Sequence, residues 1–260
     1  MEQIFLPSKI EYQEDKENKN RATIIIEPCY PGYGITWGNA LRRVLLSSLS
    51  GAAVDAVKIK GVRHEFTTIP YVKEDVLQIV LNLKLLRLRV FKDEPVKLKL
   101  SVSGEKKVTA ADFEKNADVE IVNPELHLAT LTDKKANLEI EVTVKKGIGY
   151  VPSEEKDRTG LDLGTIVLDS IFSPVLKVGL RIEKIRVGRR TDFDKLILEV
   201  TTDGTISPGQ AFLEAAKMLN EQFKFIVDKF EEKKENFEKE TKKEVTKKKK
   251  KARSESRKKK

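Results

Sequence analysis

The sequence predicts an α+β fold, with helical patterns toward the two ends of the chain and strand patterns between them. Three observations carry that expectation. A helical segment covers residues 37–49 (WGNALRRVLLSSL), and an apolar stripe at helical spacing runs from Phe212 to Phe230. Between them, Val96, Leu98, Leu100 and Val102 alternate strictly with polar residues, as do Leu138, Ile140, Val142 and Val144. Period two is the mark of a half-buried strand.

Taken in order, residues 21–28 (RATIIIEP) form a short apolar run closed by proline and predict a buried strand. PGYG at 31–34 is turn-rich and leads into the first helix, with Gly51 expected just past its end as a C-cap. Strand signals dominate from about Ala53. Val72, Val76, Ile79, Val80 and Leu83 interrupt them at helical spacing, and LRIEKIRV and KLILEV give two later strands. Asp203-Gly204 signals a turn, and Ser207-Pro208 an N-cap followed by proline in a first helical turn.

The last helix is expected to run to about Phe230. Phe212, Ala216, Leu219, Phe223, Ile226 and Phe230 follow a four-three spacing, an a/d seam over nearly three heptads. Such a stripe covers either the protein's own core or a partner helix. Residues 233–260 carry almost no apolar content and are expected to form a disordered, lysine-rich tail.

The totals exclude several classes. Cys29 is the only cysteine, and the two histidines leave no zinc-type cluster and no disulfide. No apolar run is long enough to span a membrane, and no secretory signal opens the chain, so a cytoplasmic protein without a membrane partner is expected. The formal charge of +9 is concentrated at one end. Residues 231–260 hold 15 Lys/Arg against 7 Asp/Glu, and the other 230 residues hold 35 against 34. A near-neutral body gives no reason to expect a DNA-binding face.

No catalytic constellation emerges: there is no GxSxG elbow and no Walker loop. GYG at 32–34 and GIGY at 147–150 read as turns in which glycine supplies positive φ. Asp192 and Asp194, beside Arg189, Arg190 and Lys195, read as a salt-bridged loop rather than a metal site. Catalytic, cofactor and metal sites are all expected to be absent. The unusual feature is the arginine pair in the first helix. Asn39, Arg43 and Leu46 share one face, while Leu41, Val44, Leu45 and Ser48 point elsewhere. An arginine there pairs either with an acid of its own chain, such as Glu27 or Glu65, or with a partner's carboxylate.

PGYGITWGNALRRVLLSSLSGAAV (31–54) resembles the signature helix of bacterial RNA polymerase alpha subunits. The resemblance continues through GVRHEFTTIPYVKEDVLQIVLNLK (61–84), VTAADF, DVEIVNPELHLATL, KKGIGYVP, DSIFSPV and VGRRTDFDKLILEVTTDGTISPGQAFLEAA (187–216), in the family's order. It covers nearly all of residues 4–230. Seven collinear matches are highly specific where any one would be weak.

The resemblance implies a discontinuous dimerisation domain (1–50 and 176–232) with a mostly β domain (51–175) inserted. It implies a subunit of a nucleotidyltransferase complex, not a catalyst in its own right, nucleoid-associated and needing no cofactor. The partners implied are a second copy of the chain and the beta and beta-prime subunits. Trp37, Leu41, Leu45, Phe212, Ala216, Leu219, Phe223, Ile226 and Phe230 would meet the second copy. Asn39, Arg42, Arg43, Leu46, His64, Glu65 and Phe66 would hold beta. Lys84, Phe172, Ser173, Pro174 and Val175 would hold beta-prime. The family usually continues into a small helical DNA-binding domain. Here the lysine-rich tail follows instead, so DNA is met indirectly through the assembled enzyme or by salt-sensitive contacts of the tail. A basic nucleic-acid-binding protein, a stand-alone enzyme, and an archaeal or nuclear counterpart are the rival readings. The neutral body, the empty catalytic inventory and the GNALRRVLLSS wording speak against them in turn.

Overall fold

The structure is a computed structural model that describes residues 4–160 and 162–257, with side chains up to residue 234. The strands and helices, in chain order, are β1 (Lys9–Glu14), β2 (Arg21–Cys29), α1 (Tyr33–Ser47), β3 (Ser50–Ile59), α2 (Val76–Lys84), β4 (Leu88–Val90), β5 (Val96–Ser103) and β6 (Lys106–Thr109). Then come β7 (Val119–Ile121), β8 (His127–Leu131), β9 (Asn137–Ile148), β10 (Tyr150–Val151), β11 (Thr165–Val167) and β12 (Ser170–Ile171). β13 (Val175–Val187), β14 (Arg190–Thr202) and α3 (Pro208–Arg257) complete the chain. The α+β class expected from the sequence is the class found.

The two ends of the chain build one antiparallel sheet, in the order β1-β2-β14-β13. The middle builds a second, β11-β3-β9-β5, with three two-stranded ribbons beside it: β4-β7, β6-β8 and β10-β12. Helix α1 lies on β13 and β14 of the first sheet. It does so through Gly34, Gly38, Leu41 and Leu45, a stripe at helical spacing that is buried throughout. A Cβ on Gly38 would lie 2.5 Å from a methyl of Leu180, so the glycine is what lets helix and sheet approach. On the second sheet, β5 buries every other residue from Val96 to Val102, as its alternation dictates. These side chains join β3, β9 and the inner face of α2 (Val76, Ile79, Val80, Leu83) in one apolar core.

Both later helices are capped at their starts, the last one at the Ser207-Pro208 signal that the sequence carries. The Asp75 carboxylate accepts the Gln78 N–H at 2.7 Å and caps α2. Ser207 Oγ accepts the Gln210 N–H at 3.2 Å ahead of Pro208.

Three local expectations are corrected. Gly51 is not a C-cap: α1 ends at Ser47, Ser48 donates its N–H to the Val44 carbonyl at 2.9 Å, and Gly51 lies in β3. A Cβ there would lie 1.9 Å from the Phe172 carbonyl oxygen. Asp192 and Asp194 lie on strand β14 and not in a loop. Of the glycines read as turn residues, Gly32 and Gly149 do take positive φ, at 87° and 67°. Gly34 and Gly147 serve close packing instead, the first against Asp194 and the second against the Phe172 ring.

Packing divides the chain into Met1–Ala215 and Ala216–Lys260. Helix α3 is carried on to Arg257, past the end near Phe230 that composition suggests. The side chains of the expected disordered tail fall, from residue 235 on, outside the described residues, and so does its proposed contact with DNA.

Candidate partner-binding surfaces

Helix α1 is held at both ends. Asp194, its side chain only 1% exposed, accepts the Gly32 N–H at 2.9 Å and the Gly34 N–H at 3.3 Å. An anionic acceptor at a helix N-terminus also complements the helix dipole. Lys184 closes an ion pair with the same carboxylate at 2.6 Å. At the other end, the Ser173 hydroxyl donates to the Leu46 carbonyl at 3.1 Å. A helix fixed in this way presents its outer face as a rigid surface.

That outer face carries Asn39, Arg42, Arg43 and Leu46, all exposed. Among the described residues neither arginine makes an ion pair. Glu27 is engaged instead by Lys9 and Lys195, at 3.5 and 3.4 Å. The intramolecular alternative, pairing with Glu27 or Glu65, is therefore not what the structure shows. The other beta-side group lies elsewhere. His64, Glu65 and Phe66 follow the far end of β3, whose ten residues begin just beyond α1. At the usual rise per residue that strand alone is about 30 Å long. Phe66 is 77% exposed, and Thr67 anchors its loop by donating to the His64 carbonyl at 3.0 Å.

Lys84 is tied to the stretch of chain that leads into the segment 172–175. Lys84 pairs with Asp169 at 2.9 Å, three residues before Phe172. The Ser153 N–H at 2.9 Å and then Lys84 hold the Asp169 carboxyl down at about 2. Phe172, Pro174 and Val175 are nevertheless buried within the chain, and Ser173 is half-buried. Phe172 packs on Gly147 and turns its carbonyl onto Gly51, so this segment welds β3 to β9. What it offers a partner is its exposed flanks, Ile171 and Leu176.

The residues expected at the homodimer contact divide by exposure. Leu41 and Leu45 are buried against their own sheet. Trp37 is half-buried, edge-on to Tyr33 with ring centroids 5.4 Å apart. In α3, Phe212, Ala216 and Leu219 are half-buried, while Phe223, Ile226 and Phe230 are 60–73% exposed. Val227 widens that apolar face, and Phe225 is exposed on the opposite side of the helix. Another exposed apolar group, Ile148, Tyr150 and Ile171, has no signal in the sequence, because period-two alternation gives no sign that a strand's outward residues will be left together.

The described residues contain no helix long and apolar enough to cross a membrane. The family model for the RNA polymerase Rpb3/RpoA insert domain matches residues 57–173, the stretch that builds α2 and most of the second sheet. The DNA-directed RNA polymerase subunit alpha of Symbiobacterium thermophilum is 52% identical over 219 residues, covering 84% of this chain and 69% of that protein. Its counterpart in Roseiflexus sp. (strain RS-1) is 50% identical over 225 residues, 86% of this chain and 68% of the relative. That of Alkaliphilus oremlandii is 48% identical over 219 residues, 84% and 69%.

Proposed function

The chain belongs to the family of DNA-directed RNA polymerase alpha subunits, and from that premise we propose that it is a dimeric scaffold on which the beta and beta-prime subunits assemble. The transcription reaction belongs to the assembled nucleotidyltransferase, and this chain contributes position instead of reacting groups. Residues 1–50 and 176–232 serve as the dimerisation domain and 51–175 as the insert. The two sheets support that division, since the first takes its strands from the chain's ends and the second from its middle. One protomer of the dimer holds beta through Arg42, Arg43 and Leu46, and the other holds beta-prime near Lys84 and the flanks of 172–175.

The observation that carries the scaffold reading is the exposed arginine pair beside Leu46, free of ion pairs among the described residues, on a helix fixed at both ends. An arginine fork aimed at solvent from a rigid helix is suited to a partner's carboxylate. The test is solution mass, alone and after mixing with beta. The protein is expected near twice 29.5 kDa, capturing a single beta. Arg43→Ala is expected to weaken that capture by about 2–5 kcal/mol, because a desolvated acid on beta loses its partner. Equal capture by Arg43→Ala and the unaltered protein would remove Arg43 from the contact.

A further inference from the structure

We infer that the partner gripped by the α1 arginines is also gripped by an apolar patch formed by Leu46, Ile148, Tyr150 and Ile171, and that it presents there an apolar segment flanked by carboxylates. The inference rests on the reading of α1 as the beta-binding face and extends that face onto three further residues.

The patch is assembled from three stretches of chain that the backbone ties together. Ser173 donates to the Leu46 carbonyl at 3.1 Å, and the Phe172 N–H donates to the Gly149 carbonyl at 2.8 Å. Tyr150 and Ile171 are direct partners in the β10-β12 ribbon, so their side chains leave on one side. Ile148 stands opposite Ser50, three residues past the end of α1. Leu46 is 36% exposed, and Ile148, Tyr150 and Ile171 lie between 56% and 59%. Single exposed apolar residues are ordinary, but four gathered at one junction mark a surface that another molecule covers.

The patch is also set in place before anything binds. Gly149 makes its turn at φ 67°, Gly147 sits under the Phe172 ring, and Gly51 lies against the Phe172 carbonyl. A partner docking there orders little on the scaffold's side, which favours affinity.

Charge decides what the partner is. Arg42 and Arg43 lie one helical turn before Leu46 and make no ion pair among the described residues. Tyrosine and arginine around an apolar centre are what protein–protein contacts concentrate. A nucleic acid backbone would satisfy the arginines but leave Ile148 and Ile171 facing phosphate and sugar. The occupant is therefore a protein segment, apolar at its centre and acidic at its edge, on the beta subunit.

The experiment measures beta binding by the full chain carrying Tyr150→Thr and Ile171→Thr together, beside Arg43→Ala. Threonine keeps strand propensity, and the thermal midpoint checks that the fold is retained. The threonine pair is expected to weaken beta binding tenfold or more while leaving its salt dependence in place. Arg43→Ala is expected to weaken binding and flatten that dependence, since it removes the charge. If the threonine pair binds beta as the unaltered protein does while Arg43→Ala does not, the patch inference fails and the α1 reading stands. If neither variant is weakened, the α1 reading fails as well. Loss of duplex DNA binding with beta binding intact would also overturn the inference. Should the pair lower the midpoint, Ile171→Thr alone is judged by the same criteria.

Discussion

Among single residues, Asp55 shows how a buried charge is made tolerable. Its side chain is 12% exposed, and that of its partner Lys156 is 8% exposed. Burial pushes the Asp55 carboxyl up, but Lys145 at 2.7 Å and Lys156 at 2.9 Å outweigh it and hold the group below the ordinary carboxylate range. Lys156 also donates to Ser170 Oγ at 2.6 Å and to the Leu168 carbonyl, and Ser170 donates to the Val54 carbonyl at 2.8 Å. Loop 152–164 is thus tied to β3 by one fully satisfied polar cluster. A carboxyl depressed in the folded state contributes stability above its unfolded value and loses it as pH falls through the folded one. Asp55→Asn is expected to cost about 3–5 kcal/mol near neutral pH, because the Lys156 ammonium is left buried and unpaired. It is also expected to lessen the loss of stability on the acid side. Adding Lys156→Met is expected to recover most of that cost. Urea unfolding across pH reads all three, and an unchanged neutral midpoint for Asp55→Asn would refute the account.

At the scale of elements, period and composition made most of the fold legible in advance. β5 and β9 alternate because each has a single buried face, and α3 begins where Ser207-Pro208 says it should. What local pattern cannot carry is the distant partner. Gly51 follows a helix and reads as its cap, yet the reason for glycine lies across the chain at Phe172. The N-terminus of α1 lacks a capping side chain of its own, and Asp194 supplies one from β14. Seen only in sequence, that aspartate looks like a member of a charged loop. The arginine pair was legible as a question, and only the position of Glu27 beside Lys9 and Lys195 answers it. Gly51→Ala is the sharper test of the element scale. As a cap glycine it would cost about 1 kcal/mol or less. As a packing glycine, with the Phe172 carbonyl 1.9 Å from the new methyl, it must push β3 away from the 172–175 segment. Overpacking of that kind costs about 1–3 kcal/mol, and more where backbone must yield. A thermal midpoint lowered to match is expected, and an unchanged one would mean that the strands separate at no cost.

For the whole molecule the decisive element is α3. Its stripe was legible as a seam, but not which part of the seam its own protomer would use. Phe212, Ala216 and Leu219 are half-buried, and from Phe223 onward every described residue is exposed. Phe223, Ile226, Val227 and Phe230 then present four large apolar side chains to solvent on one face of the helix. Each is worth about 1.5–3 kcal/mol when fully buried. A two-fold contact counts every one of them twice, since each residue appears on both protomers. Set against the cost of association, burial of that face would favour the proposed dimer, whereas a lone protomer gains nothing from the face. Phe223→Lys with Ile226→Lys is therefore expected to give a particle near 29.5 kDa in place of one twice that mass. Residues 4–215 should keep their unfolding transition, because neither side chain is buried in the protomer. Sedimentation across a hundredfold range of concentration separates the outcomes. A dimer that persists in this variant would mean that α3 is not where the two copies meet. A protomer that unfolds with the dimer would mean that the second copy completes the fold as well as the assembly.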